Sequence, residues 1–338
     1  MDQNKGLSII ILAAGKGTRM KSDKAKVLHE VCFIPMVQHV VNAVNPLSPL
    51  KTVVVVGHQH ERVKNTLKNL EIEFALQEEQ LGTGHAVLSA EAAIQSCEGN
   101  VLILYGDTPL IKDQTLVEMY QKHLSDKASL TIMTTVLEDP TNYGRILVDN
   151  DGKVSGIVEQ KDASSEQQKI GEINAGIYCV DKEFLFQALK KVDTDNSQGE
   201  MYLTDIVAQA VHDNLKVEKY RVQQPSEVLG VNSRVELVTA HNELQMRRNV
   251  ELMTEGVTIY SPETTFVSMD ASIVRDTTIY GDVEITGDTV IGARCTVGKG
   301  TIIKNCTIGD EVVIGPYSYL VDANIETGTT ISPYSKIQ

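Results

Sequence analysis

The sequence predicts an α/β protein in two parts: a mostly parallel sheet covered by helices on both faces, then a short left-handed parallel β-helix. Three patterns carry that prediction. From residue 8 to about residue 136, continuous apolar runs of strand length alternate with stretches of helical spacing, the pattern of parallel strands buried on both sides. Residues 144–230 change to a hairpin signal followed by further helices and strands. From Val267 onward aliphatic residues recur every six positions, a period that fits neither an α-helix nor an alternating strand.

The elements follow in order. Residues 8–12 form an apolar strand, and Met36, Val37, Val40, Val41 and Val44 then recur at helical spacing. The β-branched run 52–56 predicts a strand, 61–70 a helix, 74–76 a strand and 85–94 a helix. Residues 101–105 and 129–136 continue as strands around a helix at 114–123. In the second half, Asp149, Asn150, Asp151 and Gly152 lie between 145–148 and 154–159 and predict a hairpin. A strand at 175–180, helices from Lys182 and at 203–212, and a strand at 217–222 complete a Rossmann-like domain over residues 1–232. Ligands of such sheets bind at the carboxyl ends of the strands. Residues 233–256 read as a charged linker helix, with apolar residues at Val235, Leu237, Val238, Leu244, Val250 and Leu252.

The segment 257–338 is the most regular. Val267, Ile273, Ile279, Ile285, Ile291, Val297 and Ile303 lie six apart; Ile308, Ile314, Leu320, Ile325, Ile331 and Ile337 continue with two five-residue steps. A triangular coil of three hexapeptides points each of these inward, so the segment holds about four coils at roughly 18 residues each. It ends at Gln338 with no capping segment after ISPYSKIQ. An incomplete, truncated β-helix is therefore expected, because solenoids protect their last coil.

Composition excludes several classes. A net charge of −14 and a pI near 5.1 disfavour nucleic-acid binding, which needs a broad basic face. No apolar run approaches the roughly 20 residues that span a bilayer, and the start lacks a signal-peptide cleavage pattern. The chain therefore reads as cytoplasmic. The five cysteines are widely spaced with no C-x-x-C, which argues against a disulfide framework or zinc site and for buried thiols. Nor do the eight histidines make a metal cluster, His58 and His60 included.

Against that acidic background, Lys16, Arg19, Lys21, Lys24 and Lys26 crowd into eleven residues directly after the first strand. Such closely packed like charges repel, and a bound triphosphate relieves the repulsion. Gly15 and Gly17 let the backbone approach a phosphate. The loop is not a Walker A sequence and lacks the second half of the dinucleotide fingerprint, so by itself it names no reaction.

The run LAAGKGTRMKSDKAKVLH resembles the signature of sugar nucleotidyltransferases. With QLGTGHA at 80–86, YGDTPL at 105–110, YGRI at 143–146, EINAGIY at 172–178, GEMYLTD at 199–205 and GVNSR at 230–234, the chain resembles a family of bacterial bifunctional enzymes. These are the N-acetylglucosamine-1-phosphate uridyltransferase/glucosamine-1-phosphate acetyltransferases. The resemblance implies Mg²⁺-dependent uridylyl transfer from UTP to N-acetylglucosamine-1-phosphate, supplying precursors for cell wall and lipopolysaccharide. It also implies a homotrimer through the β-helix, with no nucleic-acid or membrane partner. Acetyl transfer in the family uses later coils, so none is expected of this chain.

That chemistry requires a sugar-phosphate oxygen to attack the α-phosphorus in line, which makes the protein's task positioning and charge neutralisation. Asp107 ends the apolar run VLILYGD at the carboxyl edge, where a lone carboxylate suits Mg²⁺. The resemblance adds Asn232 as second metal ligand, sets Arg19 toward the leaving pyrophosphate and sets Lys26 on the phosphates at the reacting centre. The family usually has proline before this lysine; here Ala25 stands. Leu12, Ala13, Ala14, Gly15, Gln77, Gly82, Thr83 and Tyr105 are the implied nucleotide contacts. A carboxamide and backbone groups at Gln77, Gly82 and Thr83 suit the uracil edge, with its two acceptors and one donor. Gly144, Glu159, Asn174, Tyr202 and Thr204 are the implied sugar contacts. Another sugar-1-phosphate, dTTP, or a catalytically idle regulatory subunit on the same fold are the competing readings.

Overall fold

The structure is a computed structural model and describes residues 6–338. Its contacts divide into two compact units. One comprises the described chain up to His29 together with Pro35–Arg234; the other comprises Glu30–Ile34 and Val235–Gln338.

The first unit is built on a sheet of strands β1 (Leu7–Ala13), β2 (Lys51–Val56), β3 (Glu73–Leu76), β4 (Asn100–Tyr105), β5 (Leu130–Val136), β6 (Arg145–Val148), β7 (Val154–Val158), β8 (Glu172–Asp181) and β9 (Val217–Arg221). The order across the sheet is β9-β5-β8-β4-β1-β2-β3, with the β6–β7 hairpin attached to β8. All pairings along that path are parallel except those of β8, which is antiparallel to both β4 and β5. The mostly parallel α/β fold expected from the sequence is thus observed.

Alternation along the strands explains why both faces are covered. Ile9, Ile11 and Ala13 of β1 pack with Val37, Val40 and Val44 of helix α1 (Met36–Val44) and with Leu116 and Met119 of a second helix (Asp113–Asp126). Ile10 and Leu12 face the other way. They share a core with Ala86 and Val87 of the short helix Thr83–Leu88, with Leu185 and Leu189 of Lys182–Leu189, and with Ile206 and Ala210 of Asp205–His212. The predicted helix 85–94 is shorter than expected. It runs over Thr83–Leu88, and Ala92–Ile94 is a separate 3₁₀ turn. Ser89 Oγ donates to the His85 carbonyl at 2.9 Å, a side-chain bond that competes with the helical ladder.

In the second unit a 21-residue helix, Arg234–Thr254, precedes the β-helix. Its buried positions are Ala240, Leu244, Gln245, Asn249 and Leu252, whereas Val235, Val238 and Val250 are exposed. Buried amides displace the valines because Asn249 Nδ2 donates to the Pro262 and Thr265 carbonyls at 2.7 and 2.8 Å, and Gln245 Nε2 donates to Pro262 at 3.0 Å. Each amide thereby satisfies backbone acceptors that the sharp turn 262–265 leaves open. On the same helix, His241 accepts the Cys32 N–H at 3.2 Å and packs edge-on to Phe33 and tilted against Phe266. These contacts place Glu30–Ile34 in this unit rather than the first, an excursion no linear division at residue 232 contains.

The β-helix stacks two- and three-residue parallel strands into three sheets. Stacking partners lie 18 residues apart from Phe266↔Glu284 to Glu284↔Ile302, and 17 apart from Val290↔Thr307 to Tyr319↔Lys336. The change follows from the two five-residue steps, one of which falls in every later coil. Of the periodic residues, Ile279, Ile285, Ile291, Val297, Ile303 and Leu320 are wholly buried, and Ile325 and Ile337 near the last coil are partly so. The arrangement is that of a short left-handed β-helix of hexapeptide repeats. Cys295 and Cys306 lie inside it, and all five cysteines are free and buried. No helix among the described residues is long and apolar enough to cross a membrane.

Candidate active site

Register builds the site. Ala13 is level with Val56, Val56 with Leu76, and Leu12 with Tyr105. The residues just after these strands therefore share one edge. Backbone bonds fasten that edge: His58 N–H to Ala14 O at 3.1 Å, Gln77 N–H to Val56 O at 2.8 Å and Gly106 N–H to Leu12 O at 2.9 Å. A cavity of about 420 Å³ opens there, lined by residues that include Leu12, Ala13, Ala14, Gly15, Gln77, Gly82, Thr83, Tyr105, Lys26, Asp107 and Asn232. It thus contains every implied nucleotide contact.

At its polar end three chain segments meet. The Lys26 ammonium donates to the Asp107 carboxylate and, at 3.1 Å, to Asn232 Oδ1; Arg19 Nη2 reaches the same Oδ1 at 2.8 Å. Asn232 is oriented by its own Nδ2, which donates to Gly230 O at 3.1 Å, and Val231 N–H donates to Asp107 O at 2.8 Å. Arg234 completes the GVNSR segment by donating to Met20 O and contacting His29 Nδ1. Gly17, at φ +62°, allows this loop to lie on Lys26, because a Cβ there would sit 2.5 Å from the lysine Cβ. Arg19 itself is exposed and is not among the cavity's lining residues.

The carboxylate of Asp107 and the carboxamide oxygen of Asn232 are hard oxygen donors that converge on a single cation, here the lysine ammonium. Such a pair fits a divalent ion that takes its remaining ligands from phosphates and water. No cluster of three or more His, Cys, Asp or Glu side chains suited to a metal occurs among the described residues.

Just past the end of β3, Gln77 is 4 % exposed and its Nε2 is held by Gly82 O at 3.0 Å and His85 Nδ1 at 3.2 Å. Both amide hydrogens are thereby committed, and Oε1 is the group left as acceptor. Gly82, at φ +116°, meets the Met201 backbone, where a Cβ would lie 2.5 Å from the carbonyl oxygen. Two bonds, Gly84 N–H to Met201 O and Met201 N–H to Leu81 O, both at 2.8 Å, join this loop to the GEMYLTD segment.

The implied sugar contacts form a second group, outside the residues lining the cavity. Thr204 Oγ1 donates to Glu159 at 3.3 Å, Asn174 N–H donates to Gly144 O at 2.9 Å, and the Gly144 Cα approaches so closely that a Cβ would lie 3.4 Å from both Glu159 oxygens. The Tyr202 hydroxyl accepts from Gln198 Nε2 at 2.8 Å. The Asn174 carboxamide is engaged at both ends, to Tyr178 Oη at 2.6 Å and from Gly176 N–H at 2.9 Å. Tyr105 joins the two groups. Burial, then the charges of Glu159 and Asp107, push its phenol well above the usual range, against a hydrogen bond with Thr83. Burial also raises the Glu159 carboxyl, against its bond from Thr204, and raises Asp205 to about 6 with help from Asp193 and Asp162.

Residues 8–224 match the family model of nucleotidyl transferases, and residues 288–322 that of the bacterial transferase hexapeptide (six repeats). Over 338 residues the chain is 48 % identical to the bifunctional protein GlmU of Desulfotalea psychrophila, covering all of this chain and 98 % of that one. The chain belongs to the GlmU family. Two longer relatives, the bifunctional GlmU proteins of Shouchella clausii and Streptococcus suis, are 44 % and 45 % identical over 98 % and 97 % of this chain; it covers 73 % and 71 % of them.

This GlmU-family chain is an enzyme, a nucleotidyltransferase of the UDP-N-acetylglucosamine pyrophosphorylase type. Its structure adds three residues at the site that sequence reasoning did not single out. Gln80 Nε2 donates to Ala14 O at 2.7 Å, and Gln80 and Glu200 both line the cavity. Gly176, at φ +78°, sits in an irregularity of β8 between Asn174 and Tyr178 and directly against the Tyr105 ring. All three lie inside the quoted motifs QLGTGHA, GEMYLTD and EINAGIY, so the signal was present as a motif without a role.

Proposed function

We propose that the chain transfers a uridylyl group from UTP to N-acetylglucosamine-1-phosphate, giving UDP-N-acetylglucosamine and pyrophosphate, in the cytoplasm and with Mg²⁺. The observation that carries the proposal is the convergence of Lys26, Asp107 and Asn232 at one end of a cavity whose other end holds the oriented Gln77 carboxamide, with the exposed Arg19 reaching Asn232 from outside the cavity lining.

Gln77 Oε1 accepts the uracil imide N–H, and the backbone at Gly82 and Thr83 takes a carbonyl of the base. Gly15 and the adjacent Ala13 and Ala14 admit the nucleotide against the strand end. Asp107 and Asn232 would hold Mg²⁺, which supplies charge neutralisation on the phosphate oxygens when bound. Lys26 contacts the phosphates at the reacting centre, and Arg19 receives the charge that grows on the departing pyrophosphate. The attacking phosphate oxygen is already anionic, so the residues need remove no proton. A new oxygen–phosphorus bond forms at the α-phosphorus as the bond to pyrophosphate breaks. Glu159, Thr204, Tyr202, Gly144 and Asn174 frame the sugar with acceptors and hydroxyls.

Pyrophosphate release by the purified chain with UTP, N-acetylglucosamine-1-phosphate and Mg²⁺ tests this directly, beside Asp107→Ala. The variant is expected to lose about 100-fold or more in kcat, the usual scale for a group that stabilises transition-state charge. A parent enzyme that releases no pyrophosphate from this pair sinks the proposal. Turnover that is faster with dTTP or glucose-1-phosphate reassigns the substrates. The proposed activity is uridylyl transfer alone; release of free CoA from acetyl-CoA and glucosamine-1-phosphate by these 338 residues would overturn that restriction. Outward-facing Val290, Ile302, Val313 and Tyr319 support self-association of the β-helix as a homotrimer. Sedimentation at several concentrations checks the stoichiometry.

A further inference from the structure

We propose that Gln59 is a positioning residue for Lys26, acting through the backbone of Ala25. The proposal rests on the reading that Lys26 handles the phosphates.

Ala25 immediately precedes Lys26, is 2 % exposed and has φ −52° and ψ 137°. A backbone N–H buried in this way needs an acceptor. Gln59 Oε1 supplies it at 3.1 Å, while Gln59 Nε2 donates to the Asp23 carbonyl. One carboxamide therefore grips the chain on both sides of Lys24.

The grip is anchored. Gln59 stands at φ +55°, ψ 36° ahead of the helix His60–Leu67, and its carbonyl accepts from Arg62 and Val63 N–H at 2.9 and 3.2 Å. Its turn begins at the end of β2, where His58 N–H is bonded to Ala14 O. A continuous path thus runs from the central strands through Gln59 and Ala25 to the ammonium that meets Asp107 and Asn232. Gly17 also lies against Lys26, which adds a restraint on the lysine stem itself. Without Gln59 the Ala25 N–H loses its partner, and the segment relaxes to find another. Displacement of a reacting group by about 1 Å can cost on the order of 100-fold in rate.

The backbone angle supplies the test. The φ of Ala25 lies inside the window that proline imposes, and proline has no N–H to satisfy. Gln59→Ala alone orphans a buried donor; adding Ala25→Pro removes that donor and holds φ. Steady-state pyrophosphate release is measured for Gln59→Ala, Ala25→Pro, the double variant and Lys26→Ala, each at a temperature below its melting transition. Gln59→Ala is expected to lower kcat about tenfold while KM for N-acetylglucosamine-1-phosphate stays within about twofold. Ala25→Pro alone sets its ring carbon against Gln59 Oε1 and is expected to fall between the parent and Gln59→Ala, whereas the double variant frees that space and recovers most of the loss. Should Gln59→Ala not fold, Gln59→Glu keeps the acceptor for Ala25, loses the donor to Asp23, and is expected to show a smaller fall in kcat. Unchanged kcat in Gln59→Ala, or a loss that Ala25→Pro leaves unrepaired, overturns the assignment. An active Lys26→Ala enzyme overturns the underlying reading of Lys26 instead.

Discussion

Gly176 ties the irregularity in β8 to Tyr105 in the lining of the cavity, and a matched pair of substitutions measures that tie. A methyl group at Gly176 would lie 2.6 Å from Tyr105 Cε2 and 3.0 Å from Cδ2, at a backbone φ of +78°. Gly152 has the same φ of +78° and nothing within 4 Å of its notional Cβ. Placing a side chain in the left-handed region costs about 1–2 kcal/mol, which is the whole expected effect of Gly152→Ala. Carbon atoms pack at about 3.5–4.0 Å, so Gly176→Ala must also move the Tyr105 ring by about 1 Å or open the strand. Overpacking of this kind adds about 1–3 kcal/mol. For a domain of this size each kcal/mol lowers Tm by about 2–4 °C, so Gly176→Ala should melt several degrees below Gly152→Ala. Tyr105 also lines the cavity and is hydrogen-bonded to Thr83. Displacing its ring should therefore lower kcat/KM for UTP about tenfold in Gly176→Ala and leave Gly152→Ala unchanged. Equal melting temperatures for the two variants would refute the steric account. Unaltered kcat/KM in a destabilised Gly176→Ala would refute the link to the cavity.

Other consequences follow from buried polar groups. Asp205, raised to about 6 mainly by burial, binds its proton more tightly when folded; its stabilising contribution is present below the ordinary carboxylate range and is lost as pH rises through about 6. Asp205→Asn should accordingly raise Tm at about pH 8 and leave it nearly unchanged at about pH 4, and an equal shift at both would discount the burial of this carboxyl. Asn249 is fully buried and donates to two carbonyls, so Asn249→Ala should destabilise the β-helix unit by about 2–3 kcal/mol in a thermal melt. Gln77→Glu keeps the shape of the side chain but removes two donors held by Gly82 and His85; KM for UTP should rise about tenfold with a smaller change in kcat. A KM within twofold of the parent would remove Gln77 from base recognition.

The strands and the β-helix were legible because their signals are local. Ile9 to Leu12 and Val53 to Val56 are apolar on consecutive residues since both faces of their sheet are covered, and the six-residue row from Val267 to Ile337 is the inward corner of each turn. The change of stacking interval from 18 to 17 residues, by contrast, became apparent only from the strand pairing, where it falls at the five-residue steps. The helix Arg234–Thr254 was less legible, because hydrophobicity points at the buried Leu244 and Leu252 but equally at the exposed Val235, Val238 and Val250, while Gln245 and Asn249 complete the buried face. An amide that bonds backbone carbonyls distant in sequence looks, in one dimension, like an exposed polar residue.

By itself, then, the sequence determined the two architectures, the cationic loop after β1 and, through its motifs, the family. What tertiary structure decided is which groups act on one another. Asn232 lies 206 residues from Lys26, and neither spacing nor composition brings it to the Lys26–Asp107 pair. Sheet register does that, by setting the ends of β1, β2, β3 and β4 on one edge and letting residues 230–232 bond back to Asp107. The partner of the Ala25 amide and the ring that excludes a methyl at Gly176 belong to the same class. Periodicity records only whether a side chain meets core or water, whereas a hydrogen bond or a steric limit depends on the position of one particular atom from a distant part of the chain.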